Sequence, residues 1–340
     1  MGIKILGTGS YLPPKVVHND EIGKALDTND EWIFSHTGIH SRHVAGEGET
    51  TSTMAVKAGE EALKAAGVTP EEVGLVIVAT STPDYNPFPS TACVVQGMLG
   101  CVNAGAFDLQ AACAGFIYAL EQARGFVNFY PDKKALVIGS ESLTRVVDWS
   151  DRSSCILFGD GAGAVVLGND EPPGVASTKT TAHTILGADG NGSHFIMRTG
   201  GTRDALPFSE HGVPMKPEKV EPPEMTLMGH DVFTFAVKTL SKVARDLCVS
   251  LGTSPEELDR VFAHQANSRI IEATARRMKL PLSKFWLNLE TTANTSAASV
   301  PISLDQAVKA GELKDGMKIV MVGFGAGLTY AGTYCTWPNL

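Results

Sequence analysis

Four short segments of this 340-residue chain hold residue types that could do chemistry. The first is Gln110-Ala111-Ala112-Cys113-Ala114-Gly115-Phe116. A cysteine where small residues open a helix lies near unpaired backbone N–H groups, whose partial positive charge favours thiolate. Ala112, Ala114 and Gly115 leave room for a substrate, although close helix packing would also call for residues this small. The second segment, His264-Gln265-Ala266-Asn267, directly follows the apolar run Val261-Phe262-Ala263. The carboxyl end of a buried strand is where α/β proteins place ligands; a histidine satisfied inside the core is the alternative. The third, Asn294-Thr295-Ser296-Ala297-Ala298-Ser299, is rich in helix-capping types. An asparagine can equally donate a hydrogen bond to a developing oxyanion while staying neutral. The fourth, Gly323-Phe324-Gly325-Ala326-Gly327, permits unusual backbone angles and a close approach of amides to a ligand, or serves only as a turn.

Together the four supply a thiol, an imidazole, a neutral amide and backbone donors. That set fits acyl transfer through a thioester followed by carbanion chemistry. A further glycine cluster, Gly159-Asp160-Gly161-Ala162-Gly163, lacks the Lys-Ser/Thr of a phosphate loop and any complete GxGxxG opening. It reads as a turn between strands.

The elements that must carry these groups alternate. Apolar, β-branched runs at Leu75–Ala79, Ala135–Gly139, Ala164–Leu167, Arg260–Ala263 and Lys318–Val322 predict strands of a sheet covered on both faces. A short strand is also expected at Met1–Gly7. Helical spacing runs over Met54–Ala66, stopped by Gly67, and over Phe116–Phe129, Asp231–Leu251 and Ser268–Lys279. The alternation predicts an α/β fold. The order also repeats. A strand at 75–79, a helix at 91–99, a strand at 106–109 running into the Cys113 segment and a strand at 135–139 are matched by 261–263, the helix after His264, 285–288 running into the Asn294 segment, and 318–322. Two similar α/β units, 1–170 and 171–340, would each send a helix to a shared centre. The stretch from Gly187 to Glu224 is rich in Gly, Pro and charge, and reads as a long surface excursion with turns at 190–192, 200–201 and 222–223.

Composition narrows the function. A formal net charge of −9 disfavours nucleic-acid binding, which needs a basic footprint. No apolar run reaches roughly 18 residues, so no membrane span is expected. The six cysteines, at 93, 101, 113, 155, 248 and 335, form no CxxC pair, so zinc-type spacing is absent. The first residues lack the features of a secretory signal, so a cytoplasmic protein with free thiols is expected. Most of those cysteines should be small buried hydrophobes.

The three catalytic segments, in this order, resemble the active-site motifs of the β-ketoacyl-acyl carrier protein synthase III family. The resemblance extends over nearly the whole chain, including Gly7–Pro13, Asp30–Ile33, Thr37–Ile39, Phe158–Gly163 and Phe324–Thr329. It implies a thiolase-like fold, with duplicated α/β halves in a five-layer αβαβα sandwich. It also implies an acyltransferase that initiates fatty-acid synthesis by decarboxylative Claisen condensation of an acyl-CoA, with acetyl-CoA expected, and malonyl-acyl carrier protein. Cys113 would carry the acyl group. His264 and Asn294 would stabilise the enolate, and the amides of Cys113 and Ala326 would hold the tetrahedral oxyanion. Family coenzyme A contacts fall on Trp32, Arg152, Gly229, Phe233 and Asn267. Arg269, Arg276 and Arg277 fall where the acidic carrier protein docks. Phe88 matches a residue that reaches across a twofold homodimer into the partner's acyl pocket. No metal or redox cofactor is implied.

Some positions depart from the family pattern. His36 stands where many members carry an arginine near the coenzyme A phosphates, Thr234 where some carry a docking lysine, and Ala293 where glycine is common. These put the acyl donor in doubt but leave the reaction class. Two alternatives stay open: a related condensing enzyme of secondary metabolism, and a non-catalytic acyl-CoA-binding scaffold. A degradative thiolase is disfavoured, because Cys335 in Tyr-Cys-Thr is the one late cysteine and its surroundings do not match that family.

Overall fold

The structure is a computed structural model that describes residues 2–169, 182–199 and 225–340. β1 (Ile3–Tyr11) opens the chain. β2 (Val16–His18) and β3 (Ser41–His43) pair around α1 (Asn19–Ile22) and α2 (Asp30–Thr37). α3 (Thr51–Ala66) starts where the Thr50 side chain accepts from Thr53 N and stops at Gly67, at φ 65°. Then come β4 (Val73–Ala79), α4 (Thr91–Leu99), β5 (Gly105–Leu109), α5 (Gly115–Phe129), β6 (Lys134–Ser142), α6 (Arg152–Cys155) and β7 (Asp160–Asn169). β8 (His183–Ala188) is followed by the antiparallel pair β9 (Ile196–Arg198) and β10 (Met225–Leu227). α7 (Gly229–Ser250), β11 (Arg260–Ala263), α8 (Ser268–Met278), α9 (Leu289–Thr292), α10 (Ser299–Lys309), β12 (Lys318–Gly325) and β13 (Thr329–Thr336) complete the chain.

Two sheets form. The first has the order β1-β7-β6-β4-β5, in which β5, β4 and β6 are parallel and β7 runs antiparallel to both of its neighbours, β6 and β1. The second has the order β11-β12-β13-β8, with a parallel pair β11–β12 and antiparallel β13 and β8. α3 and α4 cover the outer face of the first sheet, and α7 and α8 cover the outer face of the second. α5 and α10 lie between the sheets and touch both. The result is five layers, αβαβα. Continuous apolar strands follow from this, because each sheet is covered on both faces. The central layer holds one core, with Phe116, Ile117 and Leu120 of α5 and Val300 and Leu304 of α10 packed among both sheets.

The two central helices begin alike. A short 3₁₀ turn, Ala112–Ala114, leads into α5, and another, Ser296–Ala298, leads into α10. The first residue of each turn has positive φ: 47° at Ala112 and 50° at Ser296.

Two expectations fail. Gly159–Gly163 is not a turn between strands: 160–163 begin β7, paired with β6 and β1. Its glycines answer to neighbours, since a Cβ at Gly163 would lie 2.5 Å from Ile302 N of α10. The strand expected at 285–288 reduces to one bridge, Phe285 to Val261, because a 3₁₀ turn at Leu282–Lys284 precedes it and α9 begins directly after Asn288. Of the excursion 187–224, 187–188 end β8, Gly190–Gly192 is a 3₁₀ turn and 196–198 form β9. The turn signals at 200–201 and 222–223 lie outside the described residues.

Candidate active site

The starts of α5 and α10 meet the ends of β11 and β12 at a cavity of about 640 Å³. Cys113, His264 and Asn294 all line it, with Ala326, Gly229, Phe233 and Asn267. Sequence-distant segments thus bring together the thiol, the imidazole, the amide and the glycine-rich turn.

The nucleophile turn is fixed by β12. A Cβ on Gly325 would lie 2.5 Å from Cys113 N and 2.9 Å from Ala112 Cβ, so only glycine lets the strand end pass there. The helix start was expected to favour thiolate. Here burial is the larger effect and pushes the Cys113 thiol up to about 12; the Glu141 carboxylate adds to the rise, while the Ser296 side chain opposes it.

His264 is 1 % exposed, and burial pushes its imidazole down to about 3, so it is neutral across the physiological range. Its Nδ1 lies 2.7 Å from Ser299 Oγ at the start of α10, and its ring meets Phe324 edge-on at 5.6 Å. The alternative of a histidine satisfied within the core is thus half right: it is buried, yet it lines the cavity.

Asn294 is held by its backbone and its side chain. Its N–H donates to Leu157 O at 3.0 Å, and its carbonyl accepts from Gly159 N at 3.1 Å. Its Oδ1 accepts from Ser296 N at 2.9 Å. With the oxygen so engaged, the NH₂ is the end left for the cavity. Ala293, just before it, sits at φ 56°, a conformation that glycine adopts more easily.

Sequence reasoning missed Ser296, Ser299 and Glu141. Ser296 lies inside the quoted capping segment and shares its side chain between the Cys113 thiol and the Glu141 carboxyl. Glu141 is wholly buried in β6, where Thr82 Oγ1 donates to it at 2.6 Å and Ser81 N at 3.1 Å. Burial raises its carboxyl pKa. One acidic residue inside the apolar run 135–142 was the available signal.

Outside the cavity, Trp32 and Arg152 stand together, with the guanidinium 4.6 Å over the indole ring. His36 stacks on the same indole at 4.2 Å, and its Nδ1 lies 2.7 Å from Trp32 O. Thr234 is exposed on α7. Phe88 is 78 % exposed and does not line the cavity. Arg269, Arg276 and Arg277 are exposed on α8.

A five-layer αβαβα fold with a cysteine at the start of one central helix, and a histidine and an asparagine facing it, defines a condensing acyltransferase of the thiolase fold. Known proteins place the chain more narrowly. Residues 107–190 match the family model described as 3-oxoacyl-[acyl-carrier-protein (ACP)] synthase III, and 248–337 match the model of its C-terminal part. The beta-ketoacyl-[acyl-carrier-protein] synthase III of Xanthomonas euvesicatoria is 45 % identical over 327 residues, 96 % of each chain. That of Caldanaerobacter subterraneus is 45 % identical over 338 residues, 98 % of each. The crystal structure of the synthase III of Aquifex aeolicus superposes with a TM-score of 0.85 at 40 % identity, covering 99 % of this chain and 100 % of that one. The chain belongs to the β-ketoacyl-[acyl-carrier-protein] synthase III family.

Proposed function

We propose that this enzyme initiates fatty-acid synthesis by condensing an acyl-CoA, with acetyl-CoA expected, with malonyl-acyl carrier protein, giving 3-oxoacyl-carrier protein, coenzyme A and carbon dioxide. The observation that carries this is the orientation of Asn294, whose oxygen is engaged by Ser296 N at 2.9 Å so that its donor end serves the cavity it shares with Cys113 and His264. A neutral amide and a neutral imidazole suit an enolate, because both donate an N–H without first having to gain a proton.

In the first half-reaction the Cys113 sulfur attacks the acyl thioester, its proton passes to the departing coenzyme A sulfur, and the acyl group stays on Cys113. The N–H groups of Cys113 and Ala326 hold the tetrahedral oxyanion. In the second, malonyl-carrier protein enters the emptied channel. Ser299 donates to His264 Nδ1, which leaves Nε2–H to join Asn294 on the malonyl thioester oxygen. Carbon dioxide departs, the enolate carbon attacks the acyl-Cys113 carbonyl, and the tetrahedral oxyanion collapses by breaking the C–S bond, which releases 3-oxoacyl-carrier protein and a Cys113 thiolate that takes a proton from solvent.

Gly229, Phe233 and Asn267, on the cavity wall, take the pantetheine arm, and Trp32 with Arg152 takes the adenine outside it. Arg276 and Arg277 offer an exposed basic face to an acidic carrier protein, which electrostatic steering favours on a chain of net charge −9. Arg269 lies on the same helix. The chain acts as a homodimer. Among the described residues β5 is an edge strand with one neighbour, and Phe107 on it, Val102 and Met98 beside it and Phe88 are exposed apolar side chains. The halves 1–170 and 171–340 correspond to one α/β unit used twice. The setting is the cytoplasm.

A priming role in a specialised pathway has one supporting observation: the priming beta-ketosynthase of the R1128 polyketide biosynthetic pathway superposes with a TM-score of 0.87 at 36 % identity. Intact-protein mass spectrometry after incubation with acyl-CoA thioesters, from acetyl to medium and branched chains, tests both. A single adduct on Cys113 is expected, with acetyl preferred. Preference for a longer or branched acyl group would favour the specialised role, and no adduct with any donor would overturn the acyl-CoA half-reaction.

A further inference from the structure

The three arginines on α8 differ in what they touch. Arg276 faces Glu272 of its own helix at 3.7 Å, and Arg277 offers its carbonyl to Arg245 of α7. Arg269 reaches instead to another part of the fold. Its Nε and Nη2 both donate to Ser35 O of α2, at 3.1 and 2.6 Å. Beside it, Asn267 Nδ2 donates to His36 O at 3.1 Å, while Asn267 Oδ1 caps α8 by accepting from Arg269 N at 2.9 Å. The last carbonyls of a helix lack partners within the helix, and a cation there also complements the helix dipole. The two helix ends meet closely: a Cβ on Gly38, the α2 cap at φ 77°, would lie 2.5 Å from Ser268 Cβ.

What α2 carries gives this clamp its consequence. Trp32 lies on α2 one turn before the clamped carbonyls, with the His36 ring stacked on one side of the arrangement and the Arg152 guanidinium over the indole. The guanidinium is the only fork on α8 that ties this helix to the segment bearing His264, among the described residues.

We propose that Arg269 is a positioning residue for the coenzyme A half of the reaction, clamping the end of α2 so that Trp32 is held where the nucleotide of acyl-CoA binds. The proposal rests on the reading of Trp32 and Arg152 as the adenine site. It gives Arg269 a different task from Arg276 and Arg277, whose side chains leave α2 alone.

The test compares acylation of Cys113 by an acyl-CoA that labels it with acylation by the pantetheine thioester of the same acyl group, which lacks the nucleotide. Arg269→Ala is expected to raise KM for the acyl-CoA on the order of threefold to tenfold at unchanged maximal rate. It should leave the pantetheine thioester unaffected. In a Trp32→Ala background the same substitution should add nothing, because the two act through one contact. If Arg269→Ala melts early, Arg269→Gln, which keeps a neutral donor but loses the charged fork, carries the same comparison. Unchanged acyl-CoA kinetics, or an equal loss with both thioesters, overturns the clamp. If Trp32→Ala also leaves KM for acyl-CoA unchanged, the adenine assignment fails and the proposal falls with it; if only Arg269→Ala is silent, the clamp alone fails.

Discussion

Gly325 and Cys113 stand so close that a Cβ on the glycine would lie 2.5 Å from the cysteine's amide nitrogen. The atom it would strike belongs to the backbone and cannot rotate away. Gly325→Ala must therefore displace either the end of β12 or the nucleophile turn, and both carry proposed oxyanion donors. Loss of one such donor typically costs about a hundredfold to a thousandfold in rate. The expected result is a fall of at least about a hundredfold in Cys113 acylation, measured by quenched-flow mass spectrometry. Acylation within a few-fold of wild type would show that the turn tolerates displacement and that the oxyanion assignment is wrong.

The two half-reactions should separate by mutation. Cys113→Ser is expected to abolish acyl transfer. His264→Ala and Asn294→Ala should still take an acyl group from coenzyme A, because neither is assigned to that step. Both should lose malonyl decarboxylation, by at least about a hundredfold. Release of labelled carbon dioxide from malonyl-carrier protein reads the second step alone. Decarboxylation at the wild-type rate in either variant would remove that residue from the enolate site.

The buried imidazole fixes a pH dependence of stability. His264 is pushed from 6.5 down to about 3 in the folded protein, so the unfolded chain binds a proton there first. Stability from this group is fully present above pH 6.5 and is lost as pH falls toward 3. Carboxylates titrate in the same window, so the comparison is with His264→Asn. Wild type should lose more melting temperature between pH 6.5 and 4.5 than this variant does. Parallel curves would mean that His264 is solvated and can charge in place.

Much of this was legible because sheets covered on both faces demand unbroken apolar runs. Leu75–Ala79, Ala135–Gly139 and Lys318–Val322 each fall within an observed strand. Short-range glycine rules misled at 159–163, where the glycines serve contacts with Leu12, Pro301 and Ile302, which are distant in sequence. For Cys113 the local and the distant effects oppose each other. A helix start is a local property, whereas the burial that outweighs it depends on segments distant in sequence, such as the end of β12 that passes the Cys113 backbone. Arg269 read as a member of a basic face because sequence gives the helix but not the carbonyl its side chain finds.

The edge at β5 gives a test of assembly. Phe107, 42 % exposed, lies on a strand whose outer hydrogen-bonding edge has no partner among the described residues, and Val102, 72 % exposed, lies in the turn just before it. Phe107→Glu with Val102→Glu should convert a dimer to a monomer in sedimentation velocity and lower acylation with longer acyl groups, if Phe88 completes the partner's pocket. A double variant that sediments as the wild type does would locate the interface elsewhere.

Arg276→Glu with Arg277→Glu tests the carrier surface separately from the Arg269 clamp. Both are exposed on α8 and away from the cavity lining. KM for malonyl-carrier protein should rise on the order of tenfold, and more steeply at low salt, because rim charges act mainly through steering. Acyl-CoA kinetics should not change. An equal loss with both substrates would indicate a damaged fold rather than a lost docking face.

The last prediction concerns the acid behind the nucleophile. The Glu141 charge raises the Cys113 thiol pKa, and the two groups share the Ser296 side chain. Glu141→Gln removes that charge while keeping an acceptor for Thr82 Oγ1 and Ser81 N. The thiol pKa should fall, so iodoacetamide should alkylate Cys113 about twofold to tenfold faster at pH 8. Ser296→Ala removes a side chain that hydrogen-bonds both groups, and it should move the thiol the other way, since Ser296 lowers that pKa. The Asn294 contact is a backbone one and survives this change, so decarboxylation should stay near wild type. Alkylation unaltered in both variants would mean that Glu141 is already protonated at that pH and that its charge does not govern the resting thiol.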